Sequence, residues 1–326
     1  MIRKKTTVLC TLLFLGLLTG CKNEVELSDS LNYTIAQSNM EYHIRETKNA
    51  EYLSLPSELL CVIPLEEADE SDASITAKAG LLIDVTEQQA VFADSVYETL
   101  YPASITKLMT ALLVLKNCDL TEEVTISYNA SHIGVYGAKL CGFSEGDRIS
   151  MEALLTSLLV YSGNDAGIAI VEHIAGTEEA FAEKMNQEAL RLGAIDTNFC
   201  NSHGLHEANH YTTAYDMYLI MNELVQYPKF LDIISTTSYT ANYQTQAGEA
   251  VEKTFESTNQ FFVGNVTTPE GITILGGKTG TTNAAGSCLS LYVKSDAGKY
   301  YIAEIFKANS SSSLYSQMQT LLEMIP

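Results

Sequence analysis

Apolar residues recur at two different spacings along this chain, and the spacings predict different elements. Ala79–Asp84 and Ala90–Ala93 are short apolar runs separated by the polar residues 86–89, which is typical of a β-hairpin. Ser104–Lys116 is apolar at nearly every position, and such a segment predicts a helix that is buried on all sides.

The centre of the chain predicts helices, and its end predicts strands. Helical spacing recurs in four further segments, Met151–Tyr161, Ala166–Ala175, Glu178–Leu192 and Thr213–Tyr227. Three strands and a closing helix are then predicted at Ile272–Leu275, Cys288–Val293, Tyr300–Phe306 and about Ser312–Met324. Because strands lie at both ends, we expect the two ends to share a sheet, with the helical centre inserted as a lobe. The pattern predicts an α+β fold.

The first 21 residues are typical of an export signal. Arg3–Lys5 precede an uncharged, mostly apolar run, Thr6–Leu18, which is shorter than the roughly 20 residues that a membrane-spanning helix needs. Leu18–Cys21 resembles the bacterial lipobox, which implies that residues 1–20 are removed and that Cys21 carries a lipid on the outer face of the cytoplasmic membrane. The alternative is an ordinary signal peptide in which Cys21 is incidental.

The net charge of the chain limits the kinds of partner it can bind. The chain has 326 residues, with 40 acidic against 19 basic side chains and a net charge of −21, which argues against a nucleic-acid partner. Residues 21–73 are rich in acidic side chains, and we predict that they tether a folded domain at residues 74–326, with the helical lobe at roughly 120–235. The alternative is that the apolar residues between 52 and 63 pack as part of the domain.

A serine and a lysine at the start of the buried helix are the first candidates for chemistry. Ser104 and Lys107 are three positions apart, so they lie on one helical face within reach of each other. A serine hydroxyl needs a base to become a nucleophile, and burial in an apolar helix would favour the neutral, basic form of a lysine. Ser-x-x-Lys occurs only here in the chain.

Two further motifs follow in order. Ser162-Gly163-Asn164 lies in a polar break between two predicted apolar helices. Gly276–Thr282 contains Lys-Thr-Gly at the end of a predicted strand, where the glycines permit a substrate to approach the backbone. The order Ser-x-x-Lys, Ser-x-Asn, Lys-Thr-Gly is that of the penicillin-recognising serine enzymes. With its flanking residues, the segment 74–326 resembles the D-alanyl-D-alanine carboxypeptidase family, the low-molecular-mass penicillin-binding proteins.

The resemblance implies a DD-peptidase/β-lactamase-like fold, in which helices flank a mainly antiparallel five-stranded sheet and an all-helical lobe is inserted. It also implies that Ser104 attacks the penultimate D-alanine carbonyl of a peptidoglycan stem peptide and forms an acyl-enzyme. Lys107 would be the base, and Ser162 would relay a proton to the leaving amine. β-Lactams would acylate the same serine, and no metal or organic cofactor would be required.

The same resemblance implies roles in substrate binding. Asn164 would orient Lys107 and the substrate amide, and Lys278 would polarise Ser162. The remaining binding residues would be Thr279, Gly280 and Thr281, with the threonines binding the terminal carboxylate. The backbone N–H groups of Ser104 and Thr281 would form an oxyanion hole.

Two other functions use the same motifs. A class A-like serine β-lactamase would need a glutamate that activates water, and Glu178 and Glu179 instead resemble the acidic first turn of a helix. A lipoprotein that binds wall peptides or penicillin without turnover is the non-enzymatic alternative.

Two weaker patterns also need an interpretation. Gly142–Gly146 matches the Gly-x-Ser-x-Gly nucleophile elbow, but a weak strand precedes it and the next helix is predicted to start near Ser150. The second pattern is a cluster of three histidines, His203, His206 and His210, whose spacing could bind a metal if the segment were helical. Loop-forming neighbours instead predict a loop, in which these histidines are structural or solvated and bind no metal.

Overall fold

The computed structural model describes residues 60–69, 71–135 and 137–326. Within them the strands are β1 Ala79–Asp84, β2 Gln89–Asp94, β3 Glu123–Thr125, β4 Arg148–Ser150, β5 Ser238–Gln244, β6 Ala250–Glu256, β7 Ile272–Thr282, β8 Gly286–Ser295 and β9 Tyr300–Ala308. The helices are α1 Lys107–Asn117, α2 Tyr128–Ser131, α3 Met151–Val160, α4 Asn164–Ala175, α5 Glu178–Leu192, α6 Ala214–Leu224, α7 Pro228–Ile234 and α8 Ser311–Glu323.

Both ends of the domain contribute to one antiparallel five-stranded sheet, as the sequence predicts. The strand order is β2-β1-β9-β8-β7, so the early hairpin pairs with the last strand and β7 forms an edge. Side chains alternate between the two faces, so Leu81 and Ile302 pack toward the helical lobe while Leu82 and Ala303 pack toward the C-terminal helix α8. The predicted fold class is confirmed.

Helix α1 lies at the centre of the larger core. Leu108, Met109, Ala111 and Leu112 are fully buried, because the helix packs against α3, α5 and α6. A 3₁₀ turn, Ala103–Thr106, leads into it. The apolar sequence of this segment therefore corresponds to a helix with no solvent-facing side over its first two turns.

The lobe is not all-helical, which corrects the prediction. A second sheet of order β3-β4-β5-β6 covers one side of it, and the hairpin β5–β6 and the short helix α7 were not predicted. In β5 only Ala241 is buried, and in β6 only Phe255. One face of this hairpin does alternate, with Tyr239, Ala241, Tyr243, Val251 and Phe255, but most of these side chains are only half-buried, and the sequence analysis missed this weak signal.

The start of the domain also differs from the prediction. Residues 1–59, which include the predicted signal and most of the predicted tether, lie outside the described residues. Cys61 and Ile63 are buried in the main core; the Cys61 N–H donates to Tyr218 Oη at 3.0 Å, and Tyr215 Oη donates to Cys61 O at 2.9 Å. Residues 60–69 therefore pack as part of the domain, as the alternative interpretation of the sequence held. The domain begins before residue 74.

None of the helices in the described part of the chain combines the length and the apolar character that crossing a membrane requires.

Candidate active site

Ser104 sits in a tight turn that two glycines make possible. Ala103 has a left-handed backbone, with φ of 48°. A Cβ on Gly204 would lie 1.8 Å from Ala103 O, and one on Gly280 would lie 3.0 Å from Ser104 N. Any side chain at either glycine would push backbone away from the serine, so both positions keep the turn closely packed against its neighbours.

Lys107 is fully buried directly beside Ser104. Its Nζ lies 2.9 Å from Ser104 Oγ, 2.8 Å from Asn164 Oδ1 and 2.7 Å from His203 O. A neutral amine has two N–H donors and one lone pair, so it can donate to the two oxygens and accept from the serine hydroxyl. The three neighbours can therefore be satisfied by the neutral, basic form of the lysine, and equally by the ammonium with its three donors.

Burial lowers the pKa of Lys107 to about 7, since a charged ammonium loses its water shell in this position. The positive charge of Lys139 lowers it further, whereas Cys141 and Asp165 oppose the shift. A large fraction of Lys107 is therefore neutral at pH 7, and a neutral amine can take a proton from Ser104.

A second serine–lysine pair lies beside the first. Ser162 joins α3 to α4 with a left-handed φ of 71°, and its Oγ is 3.0 Å from Lys278 Nζ. The Lys278 ammonium also donates to Thr279 O at 2.8 Å. Burial, followed by the charges of Lys107 and Lys139, holds the pKa of Lys278 well below its usual range.

The break between α3 and α4 is held by contacts to the preceding loop. Asp165 accepts hydrogen bonds from the N–H groups of Cys141 and Gly142, at 2.8 and 2.7 Å. A Cβ on Gly163 would lie 2.1 Å from Cys141 Sγ, so only glycine fits between Ser162 and Asn164. These contacts fix the positions of both functional side chains of the motif.

Strand β7 forms one side of the site. Lys278, Thr279 and Gly280 lie inside this strand, not at its end as predicted, because β7 continues to Thr282 after a bulge near Gly276. As an edge strand, β7 leaves alternate N–H and C=O groups without a strand partner.

An open cleft of about 450 Å³ lies over this edge, and Thr281 is exposed in it. Thr279 shares a hydrogen bond of 2.6 Å with Thr258. The cleft is also lined by Ser104, Lys139, Tyr161, Ser162, Asn164, Leu205, Gln260 and Tyr315. All eight residues predicted for the peptidase site are therefore gathered at this cleft or directly beneath it, and the ninth, Cys21, lies outside the described residues.

His210 contributes to the site in a way that the sequence did not reveal. The Cys200 N–H donates to His210 Nδ1 at 3.0 Å, so the Nε2–H faces Thr106 Oγ1 at 2.8 Å. Thr106 Oγ1 in turn donates to Ala103 O at 2.8 Å and so braces the serine turn. Spacing alone gives no sign of this role, because the residues are about 100 positions apart in sequence.

The three histidines do not converge on a metal site in the described structure, where no suitable group of His, Cys, Asp or Glu occurs. Burial lowers the pKa of His203 to about 3 and that of His210 to about 4, so both are neutral near pH 7. His206 packs its ring edge-on against Tyr101.

Ser144, the alternative nucleophile, and Glu178, the candidate base of a β-lactamase, do not line the cleft. Ser144 is followed by a turn and strand β4, so the strand–turn–helix of a nucleophile elbow is absent at this position. Glu178 accepts hydrogen bonds from Ser202 N and Oγ, both at 2.9 Å, and lines a separate pocket. It does not line the cleft above Ser104.

Comparisons with known proteins agree with this geometry. The profile of the Peptidase S11 family, D-alanyl-D-alanine carboxypeptidase, matches residues 66–309. D-alanyl-D-alanine carboxypeptidase DacF of Bacillus subtilis is 31% identical over 263 residues, 78% of this chain and 63% of DacF. The chain thus spans less than two thirds of the length of that relative.

Solved structures share the fold. The Streptomyces K15 DD-transpeptidase superposes with a TM-score of 0.72 at 24% identity, covering 78% of this chain and 98% of the other. The D-alanyl-D-alanine carboxypeptidase DacD from Francisella tularensis gives a TM-score of 0.67 at 26% identity, covering 80% and 74%. Since the family profile matches most of the chain, the protein belongs to the Peptidase S11, D-alanyl-D-alanine carboxypeptidase, family.

Proposed function

We propose that this protein is a serine-type D-Ala-D-Ala carboxypeptidase that removes the terminal D-alanine from peptidoglycan stem pentapeptides through an acyl-enzyme on Ser104. One observation carries the proposal: Ser104 Oγ lies 2.9 Å from the amine of a fully buried lysine whose pKa is lowered to about 7. The pair lies at a cleft that an edge strand borders.

Acylation begins with proton transfer from Ser104 to the neutral amine of Lys107. Ser104 Oγ then attacks the carbonyl carbon of the penultimate D-alanine, and a tetrahedral oxyanion forms. The N–H groups of Ser104 and Thr281 are the proposed oxyanion hole; such a donor typically contributes about 3 kcal/mol to transition-state stabilisation. Asn164 and the His203 carbonyl hold the Lys107 amine in line with the hydroxyl.

Collapse of the tetrahedral intermediate requires a proton on the leaving amine. Lys278 holds its proton weakly and contacts Ser162 Oγ at 3.0 Å, so this pair can pass a proton to the departing D-alanine. Water then hydrolyses the ester on Ser104: as the water oxygen bonds to the acyl carbon and the ester bond breaks, the water proton passes through Ser162 to Lys278, and Lys107 returns its proton to Ser104 Oγ. Both lysines thereby regain their starting states.

The terminal carboxylate of the substrate is proposed to bind at β7. Thr279 and Thr281 offer hydroxyl donors there, and Thr258 shares a hydrogen bond with Thr279. Gly280 supports binding differently, because its missing side chain lets the strand approach Ser104. The peptide would extend along the free edge of β7 and form backbone hydrogen bonds with it.

The test is D-alanine release from an N-acylated peptide ending in D-Ala-D-Ala, with Ser104→Ala as the comparison. We expect release by the native protein and a loss of at least about a thousandfold in the variant, since the covalent route disappears. A fluorescent penicillin should label the native protein and not the variant. Release that persists in Ser104→Ala would contradict the assignment of the nucleophile.

The β-lactamase and non-turnover alternatives are not favoured. Glu178, the glutamate considered as a water-activating base, binds Ser202 in another pocket and does not line the cleft. Intact serine–lysine pairs argue for turnover. Stable labelling by penicillin without any D-alanine release would support the binding protein instead.

We further propose export and a lipid anchor on Cys21, supported by the lipobox-like residues Leu18–Cys21. Mass spectrometry of the N-terminal peptide should detect a diacylglyceryl group on Cys21 in protein from bacterial membranes. Cys21→Ser should release the protein from the membrane fraction. Equal membrane association of both forms would contradict the anchor.

A further inference from the structure

Glu178 is an acidic residue outside the cleft that the proposed reaction does not use. It is the first residue of α5, and one residue of the loop between α5 and α6 binds both of its carboxylate oxygens. The Ser202 N–H donates to Oε2 and Ser202 Oγ donates to Oε1, each at 2.9 Å. Hydrogen bonds to a charged acceptor are stronger than neutral ones, so this pair holds Ser202 firmly against α5.

Ser202 directly precedes the residue whose carbonyl contacts the proposed base. His203 O accepts from Lys107 Nζ at 2.7 Å. The His203 ring also faces Glu178. The Leu205 N–H donates to His203 Nδ1 at 3.1 Å, so the ring proton is on Nε2, which lies 3.9 Å from Glu178 Oε1. Glu178 therefore acts on two consecutive residues of the loop, and the second of them ends at the Lys107 amine.

Few other contacts attach this part of the loop to the helices. Thr110 Oγ1 on α1 donates to Ser202 O at 2.6 Å, and within the loop Asn201 Oδ1 accepts the Gly204 N–H at 2.8 Å. In the described structure, the hydrogen bonds of Glu178 are those that join residues 201–204 to α5. Without the Glu178 carboxylate, the His203 carbonyl would lose one of its two supports.

The charge of Glu178 acts on the same amine. Burial lowers the pKa of Lys107, and the negative charge of Glu178 is one of those that oppose the shift. The other titratable groups around this amine come from the preceding loop, from α4, from the loop after α5 and from β7: Lys139, Cys141, Asp165, His203 and Lys278. Position and charge of Glu178 thus converge on Lys107.

We propose that Glu178 is a positioning residue of the base: it holds Ser202 so that the His203 carbonyl meets the Lys107 amine and keeps that amine directed at Ser104. The inference rests on the proposed function. Glu178 touches neither the substrate nor the reacting atoms, since it lines a different pocket from Ser104. It acts through the loop and through its charge.

The test measures kcat/KM for D-alanine release, which reports acylation, between pH 6 and 9. Glu178→Ala removes the charge and both hydrogen bonds, and we expect a loss of about tenfold or more, because a small misplacement of the base is costly.

Glu178→Gln removes the charge alone. Its amide oxygen can accept from the Ser202 N–H while its amide nitrogen donates to Ser202 Oγ. We expect this variant to restore most of the native kcat/KM above pH 8. At pH 6 it should be roughly twofold faster than the native protein, since loss of a negative charge lowers the pKa of Lys107.

Two further variants separate the effects. Glu179→Gln is the matched control, because Glu179 also lies in the first turn of α5 and lines the same pocket, but forms no hydrogen bond with Ser202 in the described structure. Its pH profile should equal that of the native protein. Ser202→Ala keeps the Glu178 charge and removes one hydrogen bond, so it should lower kcat/KM by a smaller factor than Glu178→Ala without moving the pH profile.

The outcomes distinguish this inference from the proposed function. Native kcat/KM in Glu178→Ala, with or without a lower melting temperature, would show that Glu178 only stabilises the fold and would overturn the inference. Where Glu178→Ala does not fold, Glu178→Gln decides: a pH profile identical to that of Glu179→Gln overturns the inference. Failure of the native protein to release D-alanine overturns the proposed function instead.

Discussion

Two buried lysines dominate the site at the scale of single residues. Lys107 and Lys278 are each at most 1% exposed, and neither forms an ion pair in the described residues. Burial without a carboxylate partner lowers the pKa of both amines, because desolvation penalises the charged form alone. The neutral form of Lys107 also satisfies all three of its polar neighbours. The lowered pKa therefore supports a base, and the geometry places that base beside Ser104.

The first prediction concerns pH. Since only neutral Lys107 can take the Ser104 proton, and its pKa is lowered to about 7, the rate of acylation should rise with pH through about 7 and then level off. Stopped-flow labelling with a fluorescent penicillin between pH 5 and 9 measures this rate. A lysine of ordinary pKa would still show a tenfold increase per pH unit at pH 9, and that result would contradict the prediction.

At the scale of elements, the site depends on how closely β7 approaches the turn before α1. Gly280 faces Pro102 O and Ser104 N, where a Cβ would lie 2.9 and 3.0 Å from backbone atoms. Backbone cannot move aside as a flexible side chain can. The glycine of the Lys-Thr-Gly motif is thus a requirement of packing between two elements that are distant in sequence.

The second prediction follows from that contact. Gly280→Ala should lower kcat/KM for D-alanine release by about tenfold or more, because it moves the strand away from the nucleophile by a few tenths of an ångström. Gly134→Ala is the control, since nothing lies within 4 Å of a Cβ there. Thermal unfolding should be recorded for both, and full activity in folded Gly280→Ala would contradict the packing argument.

At the scale of the whole molecule, the central strand β9 carries an unusual buried acid. Glu304 is fully buried, accepts a hydrogen bond from Ser290 Oγ at 2.7 Å, and has one oxygen without a hydrogen-bond partner in the described structure. Burial raises the pKa of Glu304 to about 8. The folded protein therefore keeps this group protonated near pH 7, where the unfolded chain would ionise it.

The third prediction is the pH dependence of stability. Because the folded pKa of Glu304 lies above the unfolded one, its stabilising contribution is complete below pH 4.5 and is lost as pH rises toward 8. Glu304→Gln keeps a neutral side chain, so it should weaken the fall in the free energy of unfolding between pH 5 and 8. Urea unfolding at both pH values measures this.

The exposed Glu252→Gln serves as the control and should leave that pH dependence as it is. Asp216, whose pKa burial raises to about 7, acts in the same direction, whereas His203 and His210, whose pKa values burial lowers to about 3 and about 4, act in the opposite direction. The test is therefore the difference in slope between the native protein and Glu304→Gln. Identical slopes for the native protein and Glu304→Gln would contradict the prediction.

Much of the fold could be predicted from local pattern. The early hairpin, the buried helix and the last two strands match segments whose apolar spacing is strong, and they appear at nearly the predicted bounds, whereas β7 continues from the predicted end at Leu275 to Thr282. The hairpin β5–β6 was missed, since its alternation of apolar and polar residues is weak and only Ala241 and Phe255 are fully buried. The packing of Cys61 on Tyr218 was equally hidden, because the partners are 157 positions apart.

The sequence by itself determined which chemical groups the site contains: one Ser-x-x-Lys on a buried helix, a polar break at Ser162, and a lysine among glycines on a strand. Residue type and local spacing are enough for that. Only the tertiary structure decided that Lys107 has two carbonyl-type acceptors and one serine as neighbours, and that His210 braces the turn through Thr106. Burial, pKa and pairing depend on groups that folding brings together from distant parts of the chain.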